Sequence, residues 1–548
     1  MFVDRQQKQR FSLAARKHEP RPMKKLFTLV IAGFALSPHA AVFYVNVSNA
    51  APASPFSDWT TAATNIQDAV DAASARDSIV VTNGVYQTGG RVVYGALTNR
   101  LAVTKPLLVS SVNGSAVTVI QGYQVPGTIN DDGAARCVYL TNGAALVGFT
   151  LTNGATRSAG DMYREQSGGG VWCETNAVVS NCIVTANAAA NCGGGAFRGT
   201  LDNCPLVSNF ASIGGGAYEA TLTNCTLAGN SATGPERGVG GAGGGAYQCT
   251  LNNCVLAGNS AIGYNSVGGG VCGGRLTNCT LTGNSAFFGG GAYYSASCNC
   301  TLTGNLSQQG GGASGGVLNN CTLLGNSGAN SGGVRFGTLN NCIVYFNIGG
   351  NYYNSTLNYC CTTPLPDGVG NFNGEPLFVD SSGGNLRLQS NSPCINAGLN
   401  SYVSSATDLD GNPRIVGGTV DIGAYEYQTP SSIISYAWMQ QYNLPTDGSA
   451  DSTDFDGDGM TNWQEWRTGT NPTNALSVLK MLAPSNSAPG VSLTWQSVSG
   501  VGYYLQCSTN LPAFLTLQSN IVGQAGTTSF TDTNAVGAGP FYYRVGVQ

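Results

Sequence analysis

The chain has 548 residues, of which only 9% are charged and 77 are glycine, so it is too long for one ordinary compact core and suits a repeat array with added modules. Its 42% apolar content argues against intrinsic disorder. After residue 41 the chain carries 16 basic and 26 acidic residues and no histidine, which argues against nucleic-acid binding and excludes histidine-based catalysis or metal ligation.

Residues 1–22 are basic and patternless. Met23 then opens MKKLFTLVIAGFALSPHAA, a basic start, an apolar run from Leu26 to Leu36, and small residues at Ala40 and Ala41. This predicts a secretory signal peptide, with 1–22 as an upstream extension and a secreted or cell-surface destination. The apolar run is well short of the ~20 residues a membrane helix needs. No transmembrane segment is expected in the mature chain, which is expected to be a monomer.

Residues 42–150 are expected to form an N-terminal cap and the first coils of a solenoid. TNIQDAVDAASARDSIVVTNGVY (64–86) holds an amphipathic helix with Ile66, Ala69, Val70 and Ala73 on its apolar stripe. A strand follows at Ile79–Val81.

From 151 to 362 one phrase repeats. N-C-x-[LIV]-x-x-N begins at Asn181, Asn203, Asn224, Asn253, Asn278, Asn299, Asn320 and Asn341. The cysteine spacings are 22, 21, 29, 25, 21, 21 and 21, and a glycine cluster precedes each copy. That period with strand-type alternation predicts one coil of a parallel β-helix per copy. In Leu222–Leu227 the leucines and Cys225 are expected inside, with Thr223 and Thr226 outside. Asn224 is expected at a left-handed bend, where its amide can bond the equivalent amide of the next coil. Stacked in-register cysteines have parallel side chains, poor geometry for a disulfide. The cysteine column is therefore expected to be buried thiol, with Cys360–Cys361 and Cys298–Cys300 as open exceptions. The longest steps contain TGPERGVGG (233–241) and IGYNSV (262–267), which are expected to leave the coil at one corner.

Two positions past the glycine step lies the column Trp172, Phe197, Tyr218, Tyr247 and Tyr293, with Arg198 and Glu219 beside it. If the preceding alanines point inward, this column faces out. It then either stacks on sugar rings or packs beneath loops. Arg198 with Glu219 reads as an ion pair between coils or as a weak candidate catalytic pair.

Residues 363–428 are expected to close the helix. Then, in 429–475, SYAWMQQYNL (435–444) predicts a helix. Asp454, Asp456, Asp458, Gly459, Asn462 and Glu465 match D-x-D-x-D-G-x-x-N-x-x-E, with the Met460 carbonyl at the seventh place. Alternating carboxylates around a glycine turn, closed by a glutamate, predict a Ca²⁺ loop. Pro445 and TDGSADST separate it from the preceding helix, against a full EF-hand pair. In 476–548, strands are expected at 491–498, 503–509, 528–532 and 541–547, with Trp495 in a β-sandwich core.

The 64–86 stretch resembles the opening of pectin-lyase-like right-handed parallel β-helix proteins. The glycine and asparagine repeats resemble those of chlamydial polymorphic outer-membrane proteins. SPCINAG (392–398), TDLDGNPR (407–414) and VDIGAYEY (420–427) are similar to the closing segment of bacterial surface proteins of the choice-of-anchor type. The calcium loop resembles dockerin-like and thrombospondin type 3 modules, and 476–548 resembles a fibronectin type III domain. The resemblance implies an all-β fold: a pectin-lyase-like solenoid, a small calcium module and a β-sandwich. Pectate-lyase relatives imply a carboxylate cluster holding Ca²⁺ with an Arg or Lys base. Between 140 and 360 this chain has only Asp161, Glu165, Glu174, Asp202, Glu219 and Glu236, no lysine and no paired-aspartate motif. The expectation is therefore an exported non-catalytic protein for surface attachment or contact with a polysaccharide or cell-surface glycan. A polysaccharide lyase or glycoside hydrolase, and a ligand-free rigid spacer, are the alternatives.

Overall fold

The computed structural model describes residues 40–234, 240–487, 490–536 and 539–548. The expected signal peptide, Glu236 and Arg237 lie outside these residues. Among the described residues, no helix is long and apolar enough to cross a membrane.

The unit Val42–Gln548 is built on a right-handed parallel β-helix, the architecture expected from the repeat. Among the described residues three sheets of 13, 12 and 12 strands run along it, and a fourth of six covers the coils from Phe210 to Asn330. One coil shows the plan. Thr221–Thr223 lies in the first sheet, Thr226–Ala228 in the second, Ser231–Ala232 in the fourth, and Ala246–Tyr247 opens the next coil in the third. Leu222 pairs with Leu251, Leu227 with Leu256 and Ala232 with Ala261, all parallel and in register. Like therefore stacks on like. Leu222, Cys225 and Leu227 are buried while Thr226 is exposed. Each buried leucine contributes about 1.5–3 kcal/mol.

Helix α1 (Ile66–Ala72) closes the first coils with Ile66, Ala69 and Val70 buried; Asn65 caps it by accepting from the Asp68 N–H. The glycine clusters sit where backbone stacks on backbone: a Cβ on Gly216 would lie 2.5 Å from the Gly245 carbonyl oxygen of the next coil. Val267, at the end of the 262–267 insertion, directly precedes such a cluster. It pairs with Phe288 of the following coil.

The bend asparagines adopt the expected left-handed backbone, with φ between 50° and 54° from Asn181 to Asn341. Their amides bond only intermittently. Asn203 donates to Asn181 and Asn341 to Asn320, whereas Asn224 donates to Asp202 and Asn320 to the Tyr402 carbonyl. The continuous ladder belongs instead to the second asparagine of the motif, which is buried inside the coil. Asn209, Asn230, Asn259, Asn284 and Asn305 each donate Nδ2 to the Oδ1 of the next, at 2.9–3.0 Å. Each also donates to a carbonyl of the preceding coil, as Asn259 does to Leu227 at 2.8 Å.

All 18 cysteines are free, including both pairs left open above. The column from Cys182 to Cys342 is buried, and its thiols bond nearby carbonyls, as Cys279 does with Thr277 at 3.3 Å. Burial pushes Cys173 and Cys249 up to about 12, so these thiols are poor nucleophiles. Only Cys298 and Cys507 are partly exposed. A native protein treated with a thiol reagent is expected to label these two and to release the other sixteen only on unfolding. Rapid native labelling of the whole set would contradict the buried column.

Residues 399–425 fold back over the outside of the coils. The Ala424 N–H donates to Thr322, and Asn299, Asn320 and Asn341 donate to carbonyls of this segment. Helix α2 (Tyr436–Gln441) follows, its Tyr436 packed into the same closing core. Beyond helix α3 (Asn462–Thr468), two three-stranded antiparallel sheets enclose Leu493, Trp495, Tyr503 and Leu505. They contain the four expected strands and also Ser485–Ser487 and Leu515–Val522. The latter lies at a sheet edge and is largely exposed, so burial patterning is weak there.

Candidate functional site

The calcium-type loop is built by its own backbone. Asp454 accepts from the Gly457 and Gly459 N–H groups, Asp456 from Asp458, and Asp458 from Met460. Gly457 and Gly459 take φ of +80° and +97°, values a side chain resists. The Asp454, Asp456 and Asp458 carboxylates converge, each offering an oxygen within 4.8 Å of the others. Helix α3 starts at once, capped by Thr461 and Gln464 in a reciprocal capping box. It places Asn462 and Glu465, both fully buried, against the loop. Asn462 is anchored through Nδ2 to the Ala450 carbonyl and Thr453.

Four oxygens in this group are buried without a hydrogen-bond partner: Asp456 Oδ2, Asp458 Oδ2, Asn462 Oδ1 and Glu465 Oε2. Unpaired buried oxygens are costly. Hard oxygen donors of this kind and number fit Ca²⁺. α2 ends at Gln441, well before Asp454, so no helix leads directly into the loop.

Burial, followed by the three nearby aspartates, pushes the Glu465 carboxyl up to about 7 from 4.5. A pKa raised by folding stabilises the calcium-free loop below about pH 4.5, and this contribution is lost as pH rises through 7. In chelator, the melting temperature of the C-terminal region is expected to fall between pH 5 and pH 8. A flat profile in differential scanning calorimetry would contradict that sign.

The aromatic column lies on the outer face of the third sheet, and its first three members take the packed arrangement, beneath covering segments, rather than the exposed one. Trp172, Phe197 and Tyr218 are buried. Tyr139, Trp172, Phe197, Tyr218 and Tyr247 form one stack, with successive centroids 5.2–5.7 Å apart and planes within 18°. Distant segments cover it. Tyr94 packs edge-on to Tyr139 and Trp172, and Trp172 Nε1 donates to the Tyr163 carbonyl. The buried Arg136 guanidinium clasps that covering segment through the Arg164, Ser167 and Gly168 carbonyls. Tyr247 and Tyr293 are half-buried.

Arg198 and Glu219 pair across neighbouring coils at 3.0 Å on the surface. Exposed pairs of this kind contribute about 0.2–1 kcal/mol. Among the described residues, no third acid or base forms an ion pair with them. The other coil carboxylates bond structurally: Glu174 accepts from Tyr94 and Tyr139, Glu165 from Arg157 and the Ala96 N–H, Asp161 from Tyr163 and Arg164, and Asp202 from Asn224.

No protein-family model matches the chain, and comparison with curated proteins finds no match. Among solved structures, a pectate lyase Pel9A is similar at 15% identity, covering 71% of this chain and 96% of its own, with a TM-score of 0.39. A rhamnogalacturonan lyase is similar at 11% identity over 71% of this chain and 97% of its own, with a TM-score of 0.32. The pectin methylesterase PemA from Erwinia chrysanthemi is similar at 13% identity over 48% of this chain and 78% of its own, with a TM-score of 0.26.

Proposed function

We propose that this chain is an exported, non-catalytic β-helix protein that attaches to a surface or contacts a glycan, with a Ca²⁺-stiffened joint before its C-terminal sheets. The observation that carries the reading is the employment of the coil carboxylates. Glu165, Glu174, Asp161, Asp202 and Glu219 each serve a turn, a tyrosine or an ion pair. Acid–base catalysis needs a base free to meet the substrate proton, and these groups are already engaged. Asp454, Asp456, Asp458, Asn462 and Glu465, with the Met460 carbonyl, are the residues that would hold the ion. Bound there, Ca²⁺ supplies the positive charge that offsets the carboxylates and ties the loop to α3.

The test uses the unit 42–548 with neutral and acidic polysaccharides, with and without Ca²⁺. Retention without new reducing ends or unsaturated products is the expected result. Cleavage would replace the reading with a lyase or hydrolase; neither cleavage nor retention would leave a rigid spacer. Saturating Ca²⁺ is expected to raise the melting temperature of the C-terminal region, since a ligand at ~100 times its Kd adds about 2.7 kcal/mol. Glu465→Ala is expected to remove that shift, and an unchanged shift would remove the loop from the proposal.

A further inference from the structure

We propose that the exposed end of the third sheet, around Tyr294, Arg335, Phe336 and Tyr353, is a binding platform for an anionic glycan. The inference rests on the glycan-contact reading above and places that contact away from the buried aromatic stack.

The first observation is two bulky, exposed rings on a left-handed backbone. From Ala196–Phe197 onward, the position after each third-sheet strand takes a left-handed backbone, occupied by glycine at Gly273 and Gly315 and by polar residues at Arg198, Glu219, Gln248 and Asn354. Tyr294 and Phe336 take the same conformation, with φ of 47° and 56°. A bulky side chain there is a genuine outlier. Their rings are not buried in exchange: Tyr294 is 63% exposed and Phe336 48%. Strain kept at an exposed aromatic points to a surface role.

The second observation is how these rings are arranged. The register Tyr293–Ser314–Arg335–Tyr353 puts Tyr294 and Phe336 two coils apart, ~10 Å along the axis. Gly315 lies between them. A Cβ there would meet the Tyr294 ring at 2.9–3.0 Å, so the ring lies over that glycine. Tyr353, also half-exposed, follows Arg335 in register and stands edge-on to Phe336 at 6.1 Å.

The third is charge. Arg335 lies over the Phe336 ring at 4.3 Å and near the Tyr353 ring at 5.7 Å. Its Nε is buried without a hydrogen-bond partner, and it joins no ion pair among the described residues. Residues 240–366 contain Arg275 and Arg335 and no Asp or Glu at all. In an otherwise acidic chain Arg335 presents a guanidinium outside any ion pair and framed by aromatic rings, with Asp367 acting on nearby Tyr352. Rings stack on the apolar faces of sugars, while the guanidinium fork suits a carboxylate or sulfate.

The test measures affinity of the full chain for alginate, dextran sulfate and neutral dextran. Alginate carries carboxylate, dextran sulfate carries sulfate, and dextran carries neither. Retention on one or both acidic polymers, weakening with salt, is expected, with none on dextran. The paired variant Tyr294→Gly/Phe336→Gly is expected to lose at least tenfold in affinity while its melting temperature stays level or rises, because glycine relieves the left-handed strain. Arg335→Gln is expected to lose a similar factor and the salt dependence. Tyr264→Ala, an exposed aromatic elsewhere, is expected to bind normally. Undiminished binding by the double glycine variant would overturn the platform while leaving glycan contact standing. Equal retention on dextran would overturn its anionic specificity. Failure of the wild-type chain to bind any polymer would overturn the platform and glycan contact together.

Discussion

Replacing Asn259 with leucine is expected to lower the stability of the coils by roughly 3–6 kcal/mol. The basis is a count of partners lost inside the helix. Asn259 Oδ1 accepts both the backbone N–H and the Nδ2 of Asn230, at 3.0 and 2.9 Å, and its Nδ2 serves the Leu227 carbonyl. Leucine supplies neither function. Counting the bond from Asn259 Nδ2 to Asn284, four buried hydrogen bonds are then lost, each contributing about 0.5–1.5 kcal/mol, and more for the Asn230 N–H, which loses its acceptor. A solenoid spreads stability between neighbouring repeats and need not unfold in one step. Amide hydrogen exchange across the flanking coils is therefore the measurement, supported by the thermal midpoint. Thr250→Ala, on the exposed face of an earlier strand of the same coil, is the control and is expected to stay within about 0.5 kcal/mol. Equal protection in the two variants would show that the ladder contributes little.

The second large effect is expected at the closing segment. Arg414 and Glu426 form an ion pair with side chains 1% and 0% exposed. Arg414 also donates to the Gly423 and Asp421 carbonyls, at 2.6 and 3.1 Å. Glu426 accepts from the Val416 and Asp421 N–H groups. Glu426→Ala takes one carboxyl from a buried cluster in which Arg414 also faces Asp421, and leaves the Val416 and Asp421 N–H groups without their acceptor, at a cost of about 3–5 kcal/mol. The expected result is loss of the segment's grip on the outer coils, read as proteolysis within 399–428 at temperatures the parent resists. Arg414→Met with Glu426→Leu takes the guanidinium away from the buried Asp421 carboxyl and leaves the Val416 and Asp421 N–H groups without their acceptor, so it is expected to be no more stable than the single variant. A double variant with the parent's resistance would show that the buried ionic cluster contributes little to the segment's grip.

Much of this molecule was legible in order along the chain. The near-21-residue period and the alternation within Leu222–Leu227 specify a coil, because in-register stacking repeats whatever one coil does. The bend at Asn224 and its equivalents follows from local backbone preference. The calcium-type loop is equally local: Asp454 to Glu465 span twelve positions, and glycines with Asx turns fold them without help from elsewhere.

Tertiary structure decided the rest, for reasons that spacing cannot carry. The repeat shows two asparagines, but which one enters the interior depends on where the coil turns. The structure buries Asn259 and leaves Asn253 exposed. The column from Trp172 to Tyr293 reads as a single outward row. Its first members are covered by Tyr94 and by the segment at Met162–Tyr163, whose reach over the third sheet no periodicity encodes. The exposed Tyr294 and Phe336 carried one local signal, bulky residues where neighbouring coils place glycine. A repeat determines what stacks on what; only the folded chain determines which face the remaining segments cover.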